Sequence, residues 1–202
     1  KDRDPRLDQS IIMPGTDNGR GTIFLPSSSN HTGMKIRKWN DYTETEKNNS
    51  EHNIILIRFA DVLLMRAEAL VESGTFDEAE VRGLIDRVRQ RPSVMMPKVE
   101  DVEGTELDAN ALRAVIRHER RVEFAFEGTR ISDIRRWRIG PEMMTDAYGY
   151  KYQDVRLSPP KYIPYKVDTR SFNPNRDYLW PIPQNEINTN PFINAPNQNP
   201  GY

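Results

Sequence analysis

"RHERRVEFAFEGTRISDIRRW", residues 117–137, is the densest cluster of charged and large apolar side chains in the chain. The segment leading into it reads as a helix from about Asp108 to Phe126. On a wheel of about 100° per residue, Leu112, Val115, Ile116, Val122 and Phe126 define one face, and Arg113, Arg117, Arg120 and Arg121 gather on the other. Glu119 and Glu123 fall inside the apolar stripe, one turn apart. An uncompensated carboxylate there is costly, so both require partners. The nearest cations are Arg130, Arg135 and Arg136 on the following loop and helix; free N–H groups at a helix start are the alternative. Gly128 closes the helix, and a shorter one from about Ile131 to Arg138 stops at Gly140 before Pro141.

Carboxylates one turn apart also resemble the acid and nucleophile of a retaining glycosidase. This pair projects from a core-facing stripe, with no third group arranged to open a cleft, so ion pairing is preferred and no catalytic residue is assigned. "HERRVE" is half of a zinc helix motif, but position 122 is Val where a second His is needed, and His118 reads as a surface or satisfied histidine. "NPNRD" at 173–177 offers oxygen atoms without a calcium-loop spacing. No metal site or cofactor follows.

Toward the N-terminus, Leu56, Phe59, Ala60, Leu63, Ala67 and Leu70 repeat with helical period from Ile55 until Gly74, and Val81, Leu84, Ile85 and Val88 form a second stripe ending before Pro92. Two antiparallel helices in roughly 35 residues look like a tetratricopeptide-type unit. Residues 1–54 are loop-rich, with short β-like pieces at "TIFL" and "MKIRKW". Residues 55–140 form the helical core. Residues 141–202, rich in Pro, Asn and Tyr, read as an irregular tail wrapped over the helices, with at most a turn of helix near Gln184–Ile187. The expected fold is one mainly α domain: tetratricopeptide-like hairpins, long irregular loops and a wrapping C-terminal coil. Trp137 and Trp180 are expected to be packing anchors, the latter pressed inward by the prolines of "LWPIP".

At 202 residues and 36% hydrophobic composition the chain sustains one ordinary core. With Lys+Arg 29 against Asp+Glu 30 there is no global field to draw a phosphate backbone, which argues against nucleic acid. The absence of Cys excludes disulfides, a thiolate nucleophile and a cysteine zinc site. The apolar runs are far shorter than a membrane span, and the first residues do not read as a signal peptide.

"RFADVLLMRAEAL" (58–70), "IRHERRVEFAFEGTRISDIRRW" (116–137) and "LWPIPQNEINTNPFINAPNQNPGY" (179–202), with "KDRDPRL" (1–7) and "TGMKIRKW" (32–39), resemble in order and spacing the C-terminal portion of the SusD/RagB family. The resemblance implies a nutrient-binding lipoprotein on the outer face of the outer membrane of Bacteroidetes-type bacteria, capturing glycans or, in some members, peptides. It implies delivery to a SusC-type TonB-dependent transporter, and membrane attachment only through an N-terminal lipid anchor absent from this sequence. Other readings are a tetratricopeptide-like scaffold contacting the transporter alone, and a peptide-binding member of the family.

Sugar recognition needs flat aromatic faces for the C–H surfaces of pyranose rings and planar polar groups for hydroxyls. Loops on a helical base are the place for them. The candidate ligand-binding residues are Phe24, Asn30 and His31, Trp39 and Tyr42, and the alternating Tyr148, Tyr150 and Tyr152 of "AYGYKYQD".

Overall fold

The computed structural model describes residues 3–40 and 52–202. Among them the secondary structure is mainly helical, and the chain gathers into two compact units, Lys1–Pro26 with Met34–Gly128 and Ser27–Gly33 with Thr129–Tyr202. The boundary between them falls at Gly128, and a short N-terminal loop, residues 27–33, belongs to the second unit by pairing with its hairpin.

The first unit holds α1 (Arg6–Ser10), β1 (Ile11–Ile12), β2 (Lys35–Ile36), α2 (Phe59–Glu72), α3 (Glu78–Arg89), α4 (Val99–Glu103) and α5 (Ala109–Glu123). Strands β1 and β2 pair antiparallel, Ile11 opposite Ile36; "TIFL" contributes only an isolated bridge, Asp17 to Ile23. Helix α2 packs on both α3 and α5. It buries Ala60, Leu63, Leu64, Ala67 and Val71 at helical spacing and gives way to Gly74, whose φ of 78° suits a helix stop. Asp77 caps α3 by accepting from the Ala79 N–H at 2.9 Å, and Asp108 caps α5 through the Ala111 N–H at 2.8 Å. Leu64, Val81, Ile85 and Leu112 are all fully buried, each stabilising by roughly 1.5–3 kcal/mol.

Two side chains depart from the wheel reading. Helix α5 ends at Glu123, so Phe126 leaves the stripe: its φ is 64° and it is 45% exposed, while Phe124 is the buried ring at 3%. Arg120, four residues after Ile116, lies on the buried side at 5% exposure and pairs with Asp61 at 2.7 Å.

Glu119 and Glu123 are 1% and 2% exposed. Arg6 Nη1 donates to Glu119 Oε1 at 2.5 Å and to Glu123 Oε2 at 2.9 Å, and Arg89 Nε donates to Glu119 Oε2 at 2.9 Å. Arg58 and Arg91 donate to Glu123 Oε1 at 2.6 and 2.5 Å. The cations are therefore not the Arg130, Arg135 and Arg136 expected from sequence proximity. Those three belong to the second unit: Arg130 Nη2 reaches Met143 Sδ at 3.1 Å, Arg135 stacks over Trp180 at 3.8 Å, and Arg136 Nε donates to Asp133 at 2.9 Å. The network continues outward. Arg6 grips Asp4, and Arg58 and Lys38 grip Glu127. Lys38 Nζ also donates to the Glu123 and Ala125 carbonyls at 3.1 Å, satisfying acceptors where α5 ends.

The second unit holds α6 (Thr129–Arg136), α7 (Gly140–Met143), β3 (Ala147–Tyr150), α8 (Tyr152–Val155), β4 (Pro164–Asp168), α9 (Gln184–Thr189) and a 3₁₀ turn at Ala195–Asn197. An antiparallel β3–β4 hairpin thus stands where an irregular tail was expected. Strand β3 also receives residues 27–33: the Tyr150 N–H donates to the Thr32 carbonyl at 2.9 Å, and a Cβ on Gly149 would sit 2.5 Å from Thr32 Cα. Buried aliphatics are few, notably Ile134 and Val155. The tail is tied instead by amides. Gln198 accepts from the Ile182 N–H at 2.8 Å and donates to its carbonyl at 3.0 Å. Trp180, expected inside, is 67% exposed, its ring covered by Arg135.

Burial works to raise the Glu123 pKa, but hydrogen bonds from Arg91, Arg58 and Arg6, with the charge of Arg58, outweigh it and hold it lowered to about 2. A lowered folded pKa stabilises fully above the ordinary carboxylate value of 4.5 and is lost as pH falls toward about 2. Glu123→Gln is therefore expected to cost about 3 kcal/mol or more at neutral pH, a deficit that shrinks as pH drops through that window; urea unfolding across a pH series measures it. Gly149→Ala is expected to cost about 1–3 kcal/mol by overpacking and to raise the hydrogen-exchange rate of the Tyr150 amide.

Candidate functional site

In the second unit the sequence places a turn beside a hairpin. Asn30 builds the turn, its Oδ1 accepting from the Ser27 N–H at 2.9 Å while its carbonyl accepts from the Gly33 N–H at 2.8 Å. The Tyr165 hydroxyl donates to the His31 carbonyl at 2.5 Å, pinning the turn to β4. Gly33 and Gly149 permit the close backbone approach: a Cβ on Gly33 would meet the Tyr150 carbonyl oxygen at 2.4 Å. Tyr152, at the start of α8, faces the same hollow.

The result is an open cleft of about 440 Å³ lined by Ser28, Asn30, His31, Lys151, Tyr152, Gln153 and Tyr165. Lys151 Nζ lies 5.6 Å from the Tyr165 ring centroid, which fixes a cation at the mouth. The cleft combines two phenol rings with amide, imidazole, hydroxyl and ammonium groups, as recognition of a polyhydroxylated ligand requires.

Three of the sequence candidates, Asn30, His31 and Tyr152, therefore meet in one cleft. Tyr150 does not line it; its ring packs edge-on against Tyr162 at 5.6 Å between centroids. Tyr148 shares a strand face with Tyr150 by period two and is 60% exposed. Phe24 is half-buried in the first unit, its backbone N–H bonded to the Thr16 carbonyl at 2.8 Å. Tyr42 lies outside the described residues. Sequence reasoning missed Lys151, Gln153 and Tyr165. Tyr165 stands in "YIPYKVD", whose alternation marks a strand, and a strand following the aromatic alternation of 148–152 signals a hairpin.

Trp39 occupies a different cavity, in the first unit, of about 420 Å³. Its walls include Arg6, Lys38, Trp39, Arg58, Arg91, Ser93, Val94, Glu123 and Glu127. Trp39 holds a left-handed φ of 70°, is 43% exposed, and donates its indole N–H to the Phe126 carbonyl at 2.9 Å. Among the described residues the surrounding ion-pair network joins Arg6, Arg58, Arg89, Arg91 and Lys38 to Asp4, Glu119, Glu123 and Glu127, five cations against four carboxylates. With Arg58 and Lys38 beside it, the Glu127 carboxyl also lies below the ordinary carboxylate value, against the opposing effect of burial.

The sequence profile of the SusD family matches residues 1–202. SusD-like protein P2 of Formosa agariphila is 33% identical over 171 residues, covering 83% of this chain and 30% of that protein. SusD-like protein P38 of the same organism is 31% identical, covering 87% of this chain and 32% of that protein. A crystal structure of a SusD-like protein from Bacteroides fragilis superposes with a TM-score of 0.80 at 32% identity, over 99% of this chain and 39% of its own. A SusD homolog from Bacteroides thetaiotaomicron gives 0.66 at 24% identity, over 98% and 41%, a likeness of fold. The chain thus spans about a third of the length of the curated relatives it matches, and from end to end it belongs to the SusD family.

Proposed function

We propose that this chain supplies a binding surface for a neutral oligosaccharide in a non-catalytic, cell-surface nutrient-binding protein that delivers its ligand to a SusC-type TonB-dependent transporter in the outer membrane. The observation that carries the reading is the cleft bounded by Tyr152 and Tyr165, with Asn30, His31, Lys151 and Gln153 around the rings. Such a surface stacks on the apolar face of a sugar ring and exchanges hydrogen bonds with its hydroxyls. Family membership supports the cell-surface role and the transporter as partner. Attachment is assigned to a lipid anchor; among the described residues no helix is long and apolar enough to cross a membrane.

A hydrolytic role is disfavoured by the chemistry of the only paired carboxylates the sequence singled out. A glycosidase acid must hold its proton near neutral pH, which requires a raised pKa. Glu123 is pulled the opposite way, to about 2, and both its oxygens are engaged by arginines.

Titration of the chain with a panel of neutral linear oligosaccharides, followed by calorimetry and by product analysis, tests the proposal. The expected result is saturable binding without cleavage, weakened about three- to tenfold by Tyr152→Ala. Tyr165→Phe is expected to weaken binding as well, through release of the His31 carbonyl and loosening of the turn. A flat response to every glycan, or release of reducing ends, would overturn it.

A further inference from the structure

The Trp39 cavity of the first unit is a second site of different chemistry from the cleft at Tyr152. Its charged walls are held rigidly, because Arg6 and Arg58 spend their guanidinium nitrogens on Asp4, Glu119, Glu123 and Glu127. Arg91 differs. Its Nη1 is held on Glu123 at 2.5 Å and its Nε reaches Ser93 Oγ only at 3.3 Å, while Nη2 donates to no other group among the described residues. The side chain is 34% exposed and lines the cavity. One nitrogen of a guanidinium held in position is thus left available. An arginine so anchored has already lost most of its rotamer freedom and offers an anion a charged donor.

Two further features select the ligand. Among the described residues the network sets five cations against four carboxylates, a local balance that favours an incoming anion in a partly desolvated hollow. Trp39 contributes a flat face whose orientation is set by the bond from its indole N–H to Phe126. Trp39 and Phe126 both adopt left-handed backbone conformations, at φ 70° and 64°. That is a local cost for non-glycine residues, sustained here by their mutual hydrogen bond and by Lys38 on the end of α5.

We infer that the first unit binds a carboxylate carried on a flat, partly apolar body, with Arg91 taking the carboxylate and Trp39 the body. A uronic acid residue of a glycan and the C-terminal carboxylate of a short peptide share this chemistry. The inference does not rest on the oligosaccharide reading of the other cleft.

The test titrates the chain with trigalacturonate and with a tripeptide ending in Phe, each against its neutral counterpart, the methyl ester and the C-terminal amide. At least one acid is expected to bind, its neutral form at least about tenfold more weakly, with affinity falling as salt rises; which acid binds identifies the source of the carboxylate. Ser93→Asp, which sets a competing carboxylate beside the Arg91 guanidinium, and Trp39→Ala are each expected to lower affinity about tenfold or more while leaving neutral-oligosaccharide binding at Tyr152 unchanged. Equal binding of acid and neutral forms, no binding of either acid, or binding indifferent to both substitutions would overturn the inference. Circular dichroism of the two variants separates loss of the site from loss of the fold.

Discussion

A carboxylate at 2% exposure that accepts from Arg91, Arg58 and Arg6 at 2.5, 2.6 and 2.9 Å constrains a chain more sharply than apolar contact does. An aliphatic side chain tolerates rotation and small shifts of its neighbours, whereas Glu123 has two oxygens with fixed lone-pair directions. Any donor that withdraws leaves a buried charge behind. Through this side chain and Glu119, α1, the residue preceding α2, the end of α3, the loop after it and α5 must arrive at one place together. The apolar stripe supplies most of the driving force for packing α2, α3 and α5. The ion pairs decide the register in which those helices and the N-terminal segment meet.

The helices themselves were legible in the sequence because each buries a stripe of period 3.6 and is bounded by local signals, such as Asp77, Asp108 and Gly74, that act within a few residues. The need of Glu119 and Glu123 for cations followed from the same periodicity. The identity of those cations did not, because burial says that a partner exists without saying how far along the chain it lies. Arg6 is 113 residues from Glu119, and Arg130, Arg135 and Arg136 were nearer only in sequence. One signal was present and unused: Glu127 continues the four-residue spacing of Glu119 and Glu123, and it joins the same network through Arg58 and Lys38. Arg120 and Phe126 show the opposite error, a wheel carried past the point where α5 ends, or read on the wrong side of it.

The second unit was harder to read for a physical reason. Its order comes from backbone pairing and amide side chains rather than from a repeating apolar stripe, so there is little period to detect. Tyr148 and Tyr150 do alternate, but the intervening segment to β4 contains Pro159 and Pro160, and the pairing with Thr32 depends on Gly33 and Gly149 lacking side chains, a tertiary fact. Asn30, His31 and Tyr152 were identified as polar and aromatic loop residues suited to sugars. What sequence did not supply was their convergence, since the turn and the hairpin are brought together by the Tyr165 hydroxyl on the His31 carbonyl and the Tyr150 N–H on the Thr32 carbonyl.

Replacing buried ion pairs by apolar side chains is often neutral or stabilising, so stability alone does not account for four carboxylates and five cations in this core. An apolar core would also leave the cavity at Trp39 without charge. The network does something an apolar core cannot: it holds guanidiniums at fixed positions in a partly desolvated setting, where reorganisation on ligand arrival is small and a charge acts more strongly than in water. Arg91 expresses this most directly, since the bond that fixes it on Glu123 is made by one nitrogen and leaves another free. The same interaction therefore closes the core on its inner side and sets the chemistry of the cavity on its outer side, and a change to Glu123 acts on both at once.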